Sequence, residues 1–384
     1  MGTEADAAID RAGFTGVDRG TVRAAVLTGV GAPLEIREIE LGVPLPNEVL
    51  VRARAVGLCH SDVNFMEADF GLMLPAVLGH EMAGVVEAVG TDVTEFAVGD
   101  HVVGCLVASC HECDRCAAGR TTQCRNLRAA RRSADLPPRI TSDGAAVGQI
   151  FGLGAFAEAS LVHERNLAKV DPEIPFDLAC LLGCSVVTGI GSITRSAQVR
   201  RGASVAVIGC GGVGLNALQG AVLAGAGQII AIDISADKLE LARAFGATAA
   251  VNGMTQDPVA RVRELTGGGV DYSFDFTGNP RAAKQAVAML NLGGEAYLVG
   301  IQQPGAVLEL DAYADLFQMQ KSVHGVYMGA TDHQADVPRY AKEYLGGTLN
   351  LDDLVAARIP FKEINAGVEL MRSGIAGRVV LTFN

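Results

Sequence analysis

The sequence predicts an α/β chain of two domains, one β-rich and irregular, the other built on a doubly wound parallel sheet. Three observations carry this prediction. At 384 residues the chain is longer than one hydrophobic core ordinarily supports. Its first third is a series of short apolar or alternating runs divided by Gly and Pro, as half-buried strands are. Its middle alternates apolar runs with helical stretches, the pattern of a parallel sheet covered on both faces. Hydrophobic residues make up 49% of the chain, enough for both cores.

Residues 1–20, acidic and alanine-rich at their start, are expected to form a loose extension. They lack a basic stretch followed by an apolar one, so no secretory segment is expected and a reducing, cytoplasmic setting is. Strands are expected at Val22–Leu27, Leu34–Ile39 and Val49–Val56, then across Gly79–Gly90 and Val98–Val103 around the turn Gly99-Asp100. A cysteine-rich lobe, residues 105–130, precedes a polar Pro/Gly stretch from Arg131 to Gly154. In the middle, the strand Ser204–Ile208 runs into a glycine turn and an alanine/leucine helix. Ile229–Ile232 is the next strand and ends at Asp233; Ser235 caps the helix that carries Lys238, Leu239, Leu241 and Phe245. Further strands are expected at Tyr272–Phe276 and Ala296–Val299. The final part returns to short strands and one helix, so the end of the chain is expected to rejoin its beginning. Residues 202–232 carry no charge, but eight glycines break them up, which marks buried core and no membrane span.

Cys110, Cys113, Cys116 and Cys124 are spaced C-x2-C-x2-C-x7-C. Four thiolates on one short lobe suit a tetrahedral zinc at about 2.3 Å, a closed site that is structural because no position stays open. A disulfide cluster is the alternative, but 9 cysteines in 384 residues is sparse for a disulfide-held fold. Chance clustering of buried thiols is another, and the polar flanks favour a surface lobe instead. A zinc-dependent nucleic-acid reader is a third; a net charge of −12 argues against it, since such a surface needs clustered bases. No nucleic-acid or membrane partner is expected.

The run Gly209-Cys210-Gly211-Gly212-Val213-Gly214 follows a strand and opens a helix. Such a turn lets backbone approach a pyrophosphate, which then sits on the helix N-terminus. Asp233 stands 19 residues past Gly214, at the end of the next strand. There it is placed to bind the ribose hydroxyls and repel a 2′-phosphate, which predicts NAD over NADP. A tight turn with a surface aspartate is the plainer alternative.

A third set is Gly57-Leu58-Cys59-His60-Ser61-Asp62 with Gly79-His80-Glu81. Taken alone, a buried Cys and His are more often packing than ligands. With these motifs in order, the chain resembles the zinc-dependent alcohol dehydrogenases of the medium-chain dehydrogenase/reductase superfamily from Thr21 onward. The resemblance implies a GroES-like β-rich catalytic domain, residues 21–186 and 329–384, and a Rossmann cofactor domain, residues 187–328. It implies two zinc ions, one structural and one catalytic on Cys59, His80 and Cys184 with an open fourth position; Cys180, Cys105 and Cys210 are expected as packing. It makes Asp62 the partner that orients His80, places Glu81 behind the metal, and gives Ser61 the proton relay. It assigns cofactor contacts to His60, Thr188, Val213, Lys238, Arg378 and the backbone around Val299 and Ile301. An open zinc lowers the pKa of a bound oxygen from about 16 towards 7, which is what alcohol oxidation by NAD requires. Relatives often carry a histidine five residues past the first ligand cysteine; this chain has Asn64, which does not titrate.

For the substrate, Cys124-Arg125-Asn126-Leu127-Arg128 and Leu181-Leu182-Gly183-Cys184 look like the class III branch, which oxidises formaldehyde adducts of a thiol. Phe151-Gly152-Leu153-Gly154-Ala155-Phe156-Ala157 resembles actinobacterial relatives, some using mycothiol. Arg128 stands where that branch holds an anionic thiol, but its acidic partners do not line up with Glu67 and Asp69. Phe70, Ile301 and Tyr327 are expected to line an apolar pocket. The main expectation is therefore a medium-sized or aromatic primary alcohol and its aldehyde, with a thiol-adduct dehydrogenase second. A noncatalytic zinc protein is disfavoured because Cys59, His80, Ser61 and Cys184 are all present. The family implies a homodimer or homotetramer.

Overall fold

The structure, a computed structural model, describes residues 20–133 and 135–383. Apart from Gly20, the expected N-terminal extension lies outside the described residues. Three sheets organise the rest.

Two of them build the β-rich part. In the first, Thr21–Leu27 pairs antiparallel with Leu34–Leu41 and with Ala76–Val77. The second centres on Glu48–Leu58, whose partners include Glu81–Val89, Ala159–His163 and Arg378–Thr382. Their facing sides enclose one core that includes Val26, Leu27, Val56, Leu78, Met82 and Phe156, all buried. The C-terminal strand thus closes onto the first half of the chain, Val379 opposite Leu58 and Leu381 opposite Val56. Within this part the helix His60–Glu67 begins directly after Cys59.

The third sheet has six strands, all parallel, in the order Ala249–Asn252, Gln228–Asp233, Ser204–Ile208, Val270–Asp275, Leu290–Leu298, Ser322–Gly325. Ser204–Ile208 lies in the middle, and the chain winds away from it first to one side and then to the other. Such a reversal opens a crevice at the carboxyl ends of the two central strands. Gly209 turns out of the first of them at φ 90°. A Cβ on Gly214 would sit 1.8 Å from the Gly209 carbonyl oxygen, so only glycine lets the following helix pack this close. The expected fold class is borne out: a mixed α/β chain with GroES-like β sheets and a Rossmann-type parallel sheet. No single helix among the described residues is long and apolar enough to cross a membrane.

Candidate active site

Sequence-distant segments meet beside the crevice. Cys59 follows the strand Glu48–Leu58 and stands at the N-cap of the helix His60–Glu67. His80 follows Gly79, whose positive φ of 85° and close contact with Phe156 leave no room for a side chain. Cys184 stands at the head of the helix Ser185–Gly191. The donor atoms of Cys59, His80, Glu81 and Cys184 all lie within 4.8 Å of one another, and all four residues are buried. Asp62 anchors the set: its Oδ2 accepts from the Cys59 backbone N–H at 3.0 Å, and its Oδ1 lies 3.2 Å from His80 Nδ1. A carboxylate only accepts, so Nδ1 carries the proton and Nε2 keeps its lone pair for a ligand role. Ser61 Oγ is 3.5 Å from that Nε2.

The electrostatics of the set call for a cation. A hydrogen bond from Cys184 and the charge of Arg378 hold the Cys59 thiol well below its ordinary value despite burial. Cys184 is pushed well above its own by Cys59 and by burial. Burial, with the Cys59 charge, raises Glu81 to about 7 against the pull of Arg378. Arg378 Nη2 approaches Glu81 Oε1 at 3.0 Å. The contact lacks hydrogen-bonding geometry, and both Glu81 oxygens are buried without a hydrogen-bond partner. Two thiols, a free imidazole nitrogen and a carboxylate without a hydrogen bond are a donor set that fits zinc.

This set opens into a cavity of about 170 Å³. On the β-rich side it is lined by His60, Ser61, Asn64, Leu106 and Phe151, and on the other by Thr188, Val213, Phe276, Thr277, Val299, Ile301, Val326, Tyr327 and Met328. Thr277 is shared with a neighbouring cavity of about 310 Å³ that also holds Gly209, Asp233, Ile234 and Arg281. Between them the glycine turn is bare. A Cβ on Gly211 would meet nothing within 4 Å, whereas one on Gly212 would lie 3.0 Å from Arg378 Cζ. The guanidinium therefore rests against the start of the helix, beside the open backbone where a pyrophosphate fits. Asp233 steadies the turn, accepting from Cys210 N–H at 2.7 Å and Ser235 N–H at 2.9 Å.

Most of the residues singled out by sequence come together here; three do not. Lys238 lines neither cavity, and its amine points toward Gly374. Arg128 is exposed on the cysteine lobe and Phe70 also stands off the lining. Phe70 packs edge-on against Phe65 at 5.0 Å, and Phe65 against Phe151 at 5.6 Å. Phe151, at φ 53°, is the ring that meets His80, at 5.7 Å, so the expected aromatic wall is made by Phe151 with Phe70 two rings behind. Leu106, Thr277, Val326 and Met328 were not anticipated. Thr277 was within reach, because it lies two residues past the strand that borders the crevice.

The cysteine lobe is a separate cluster. Its sulfurs lie 3.4 Å (Cys110–Cys124), 3.5 Å (Cys113–Cys116), 3.9 Å (Cys110–Cys116) and 4.0 Å (Cys113–Cys124) apart, with no disulfide. Four thiolates around one zinc stand ~3.8 Å apart, so the lobe is already shaped for it. The N–H groups of Cys110 and Asn126 both donate to Cys124 Sγ at 3.3 Å.

Comparison with known proteins points to one family. Residues 45–172 match the alcohol dehydrogenase GroES-like domain and residues 212–344 the zinc-binding dehydrogenase domain. The chain is 36% identical to an alcohol dehydrogenase class-3 of Cereibacter sphaeroides, covering 94% of this chain and 99% of the relative. It is 37% identical to an S-(hydroxymethyl)glutathione dehydrogenase of Synechocystis, again over 94% and 99%. The crystal structure of benzyl alcohol dehydrogenase from Acinetobacter calcoaceticus superposes with a TM-score of 0.89 at 34% identity, covering 95% of this chain and 100% of that one. A glycine turn, a buried Cys/His/Cys set and a four-cysteine lobe in one such chain leave a single family: it belongs to the zinc-dependent medium-chain alcohol dehydrogenases, NAD-dependent oxidoreductases acting on CH–OH groups, in which two zinc ions per chain are typical.

Proposed function

We propose that the chain oxidises a primary hydroxyl to the corresponding carbonyl, with the reacting carbon in the cavity between Ser61 and Val299. The observation that carries this reading is the Cys59/His80/Cys184 set opening on that cavity beside the glycine turn. Zinc on those three residues supplies a Lewis acid that makes a hydroxyl acidic near neutrality, and NAD supplies the hydride acceptor. Ser61 Oγ, adjacent to His80 Nε2, takes the hydroxyl proton. Asp62 keeps His80 in the tautomer that leaves Nε2 free. Leu106, Phe151, Val299 and Ile301 keep water from the reacting carbon, and Arg378 with the Gly211–Gly212 backbone holds the pyrophosphate. With Asn64 at the mouth, the proton would leave Ser61 through water, with no side-chain histidine on the route.

For the substrate we favour a hydroxymethyl adduct of a small thiol, glutathione or mycothiol. The names of the curated relatives support it more than they support our first expectation: five of them are class-3 or S-(hydroxymethyl)glutathione enzymes. An aromatic primary alcohol is the second reading, supported by the apolar lining and by the benzyl alcohol dehydrogenase likeness. Formaldehyde with NAD, with and without each thiol, tests the first; strictly thiol-dependent NADH formation is expected. Thiol-independent turnover of benzyl-type alcohols, with no response to formaldehyde adducts, would establish the second instead. We further propose that residues 21–186 and 329–384 act as the catalytic unit and 187–328 as the cofactor unit. The working form is then a cytoplasmic homodimer or homotetramer, and light scattering decides between the two.

A further inference from the structure

The wall of the active cavity made by Tyr327 and Met328 is an unusual piece of backbone. Met328, Gly329 and Ala330 are three successive residues in the left-handed region, at φ 50°, 60° and 53°. For Met and Ala this conformation is unfavourable on its own, so the surroundings must impose it. They do so from two sides. Gly329 is pressed against the helix Ser185–Gly191: a Cβ there would lie 2.5 Å from the Val187 carbonyl oxygen, and one on Gly191 would lie 2.4 Å from the Gly329 oxygen. From the other side the turn is tied to Asp336, a carboxylate only 1% exposed.

Asp336 uses both of its oxygens. Oδ2 accepts from Thr331 Oγ1 at 2.9 Å and from the Asp332 N–H at 3.0 Å, fixing the chain as it leaves the left-handed turn. Oδ1 accepts from Arg195 Nη2 at 2.8 Å and Nε at 3.1 Å, and from Arg339 Nη2 at 3.1 Å. Arg195 lies on the helical continuation of the segment that carries Cys184 and Thr188. The Thr331 carbonyl, in turn, accepts from Thr121 Oγ1 of the cysteine lobe at 2.6 Å. One buried carboxylate therefore joins the cavity wall, the Cys184 helix and, through Thr331, the lobe.

We propose that Asp336 is a positioning residue for the cofactor: by gripping Thr331–Asp332 on one side and Arg195 on the other, it holds Tyr327 and Met328 at the spacing from Thr188 that the nicotinamide end of NAD requires. The cysteine lobe feeds into the same grip through Thr121. The inference rests on NAD occupying this cavity, and a direct binding measurement on the unaltered protein checks that part separately. Asp336→Asn is the sharpest change. It leaves one oxygen for two sets of donors, and its amide must face either the Asp332 N–H or the Arg195 guanidinium, so one half of the grip is lost.

The test is titration with NADH followed by fluorescence, with zinc content and thermal midpoint measured on the same samples. Asp336→Asn is expected to weaken NADH binding about tenfold and to raise the KM for NAD similarly. It should change kcat less than twofold and leave two zincs per chain. Thr121→Val, which cuts only the link to the lobe, should weaken binding about threefold. If Asp336→Asn does not fold, Arg195→Lys and Thr331→Val carry the test, each expected to weaken NADH binding threefold or more. Wild-type affinity in all folded variants, with only the thermal midpoint lowered, would overturn the proposal. Failure of the unaltered chain to bind NADH would instead overturn the reading on which it rests.

Discussion

The two thiol clusters present similar donor spacing and opposite surroundings. In each, four donor atoms lie within 4.8 Å of one another. The lobe draws its four cysteines from one stretch of fifteen residues, Cys110 to Cys124, and steadies them with backbone N–H groups. The active cluster gathers Cys59, His80 and Cys184 from distant segments and surrounds them with Asp62, Glu81 and Arg378. The lobe offers an ion four equivalent sulfurs and no vacancy; the cavity offers fewer strong ligands, a carboxylate held in reserve and an open side. A site that must only hold a metal needs local chain and amide dipoles. One that must react needs a fold around it, because its neighbours and not its ligands set what the open side does.

The largest expected effects separate the clusters by metal content. Cys59→Ser or His80→Ala should abolish turnover, by at least ~10³-fold, while the protein keeps one zinc and its thermal midpoint within a few degrees. Cys113→Ser should do the reverse in kind: the lobe loses its zinc and the apparent midpoint falls by roughly 10 °C, since a structural zinc contributes folding energy directly. Equal loss of activity and of stability in both variants would erase the distinction. Next in size, Ser61→Ala should lower turnover by about 10²–10³-fold with two zincs per chain and NADH affinity unchanged. Undiminished turnover would remove Ser61 from the proton path.

A smaller effect is expected at Asp233, whose carboxylate braces the glycine turn and which lines the neighbouring cavity. Asp233→Gly should lower kcat/KM with NAD about tenfold and move preference toward NADP. The smallest test concerns the seat of the lobe. His333 is buried, and burial, with the charge of His111 on the lobe, depresses its pKa to about 4 despite the Arg165 and Leu167 carbonyls. A histidine that is harder to protonate folded than unfolded contributes stability above pH ~6.5 that is lost as pH falls towards 4, up to roughly 3 kcal/mol. His333→Gln should flatten that part of the stability–pH curve in denaturant titrations.

What was legible in the sequence follows from how local each feature is. The lobe and the glycine turn are contiguous, and each residue there does its work against near neighbours: Gly209 turns, Gly214 admits the helix and Gly211 stays bare. Cys59, His80 and Cys184 could not be joined by spacing, because only the fold brings their segments together; resemblance supplied them. The cavity wall was the least accessible. Phe151 and Met328 owe their positions to left-handed backbone, which neither residue type favours and which tertiary contacts impose. Phe70 looked equally suitable on apolar character, but Phe65 and Phe151 stand between it and His80. Arg128 and Lys238 were placed by analogy of position, and the directions their side chains take are not encoded in that position.

The strand Arg378–Thr382 has one more consequence, for the order in which the molecule can be made. It pairs with Glu48–Leu58, and Arg378 donates to the Leu58 carbonyl across a separation of 320 residues. During synthesis, Glu48–Leu58 leaves the ribosome long before that partner exists, and it waits with one edge open beside Cys59. The parallel sheet, complete once Ser322–Gly325 has emerged, finishes first. Cys59 is thus enclosed late, by the segment that also brings the arginine to the glycine turn, so the site is sealed only after the parallel sheet has been built.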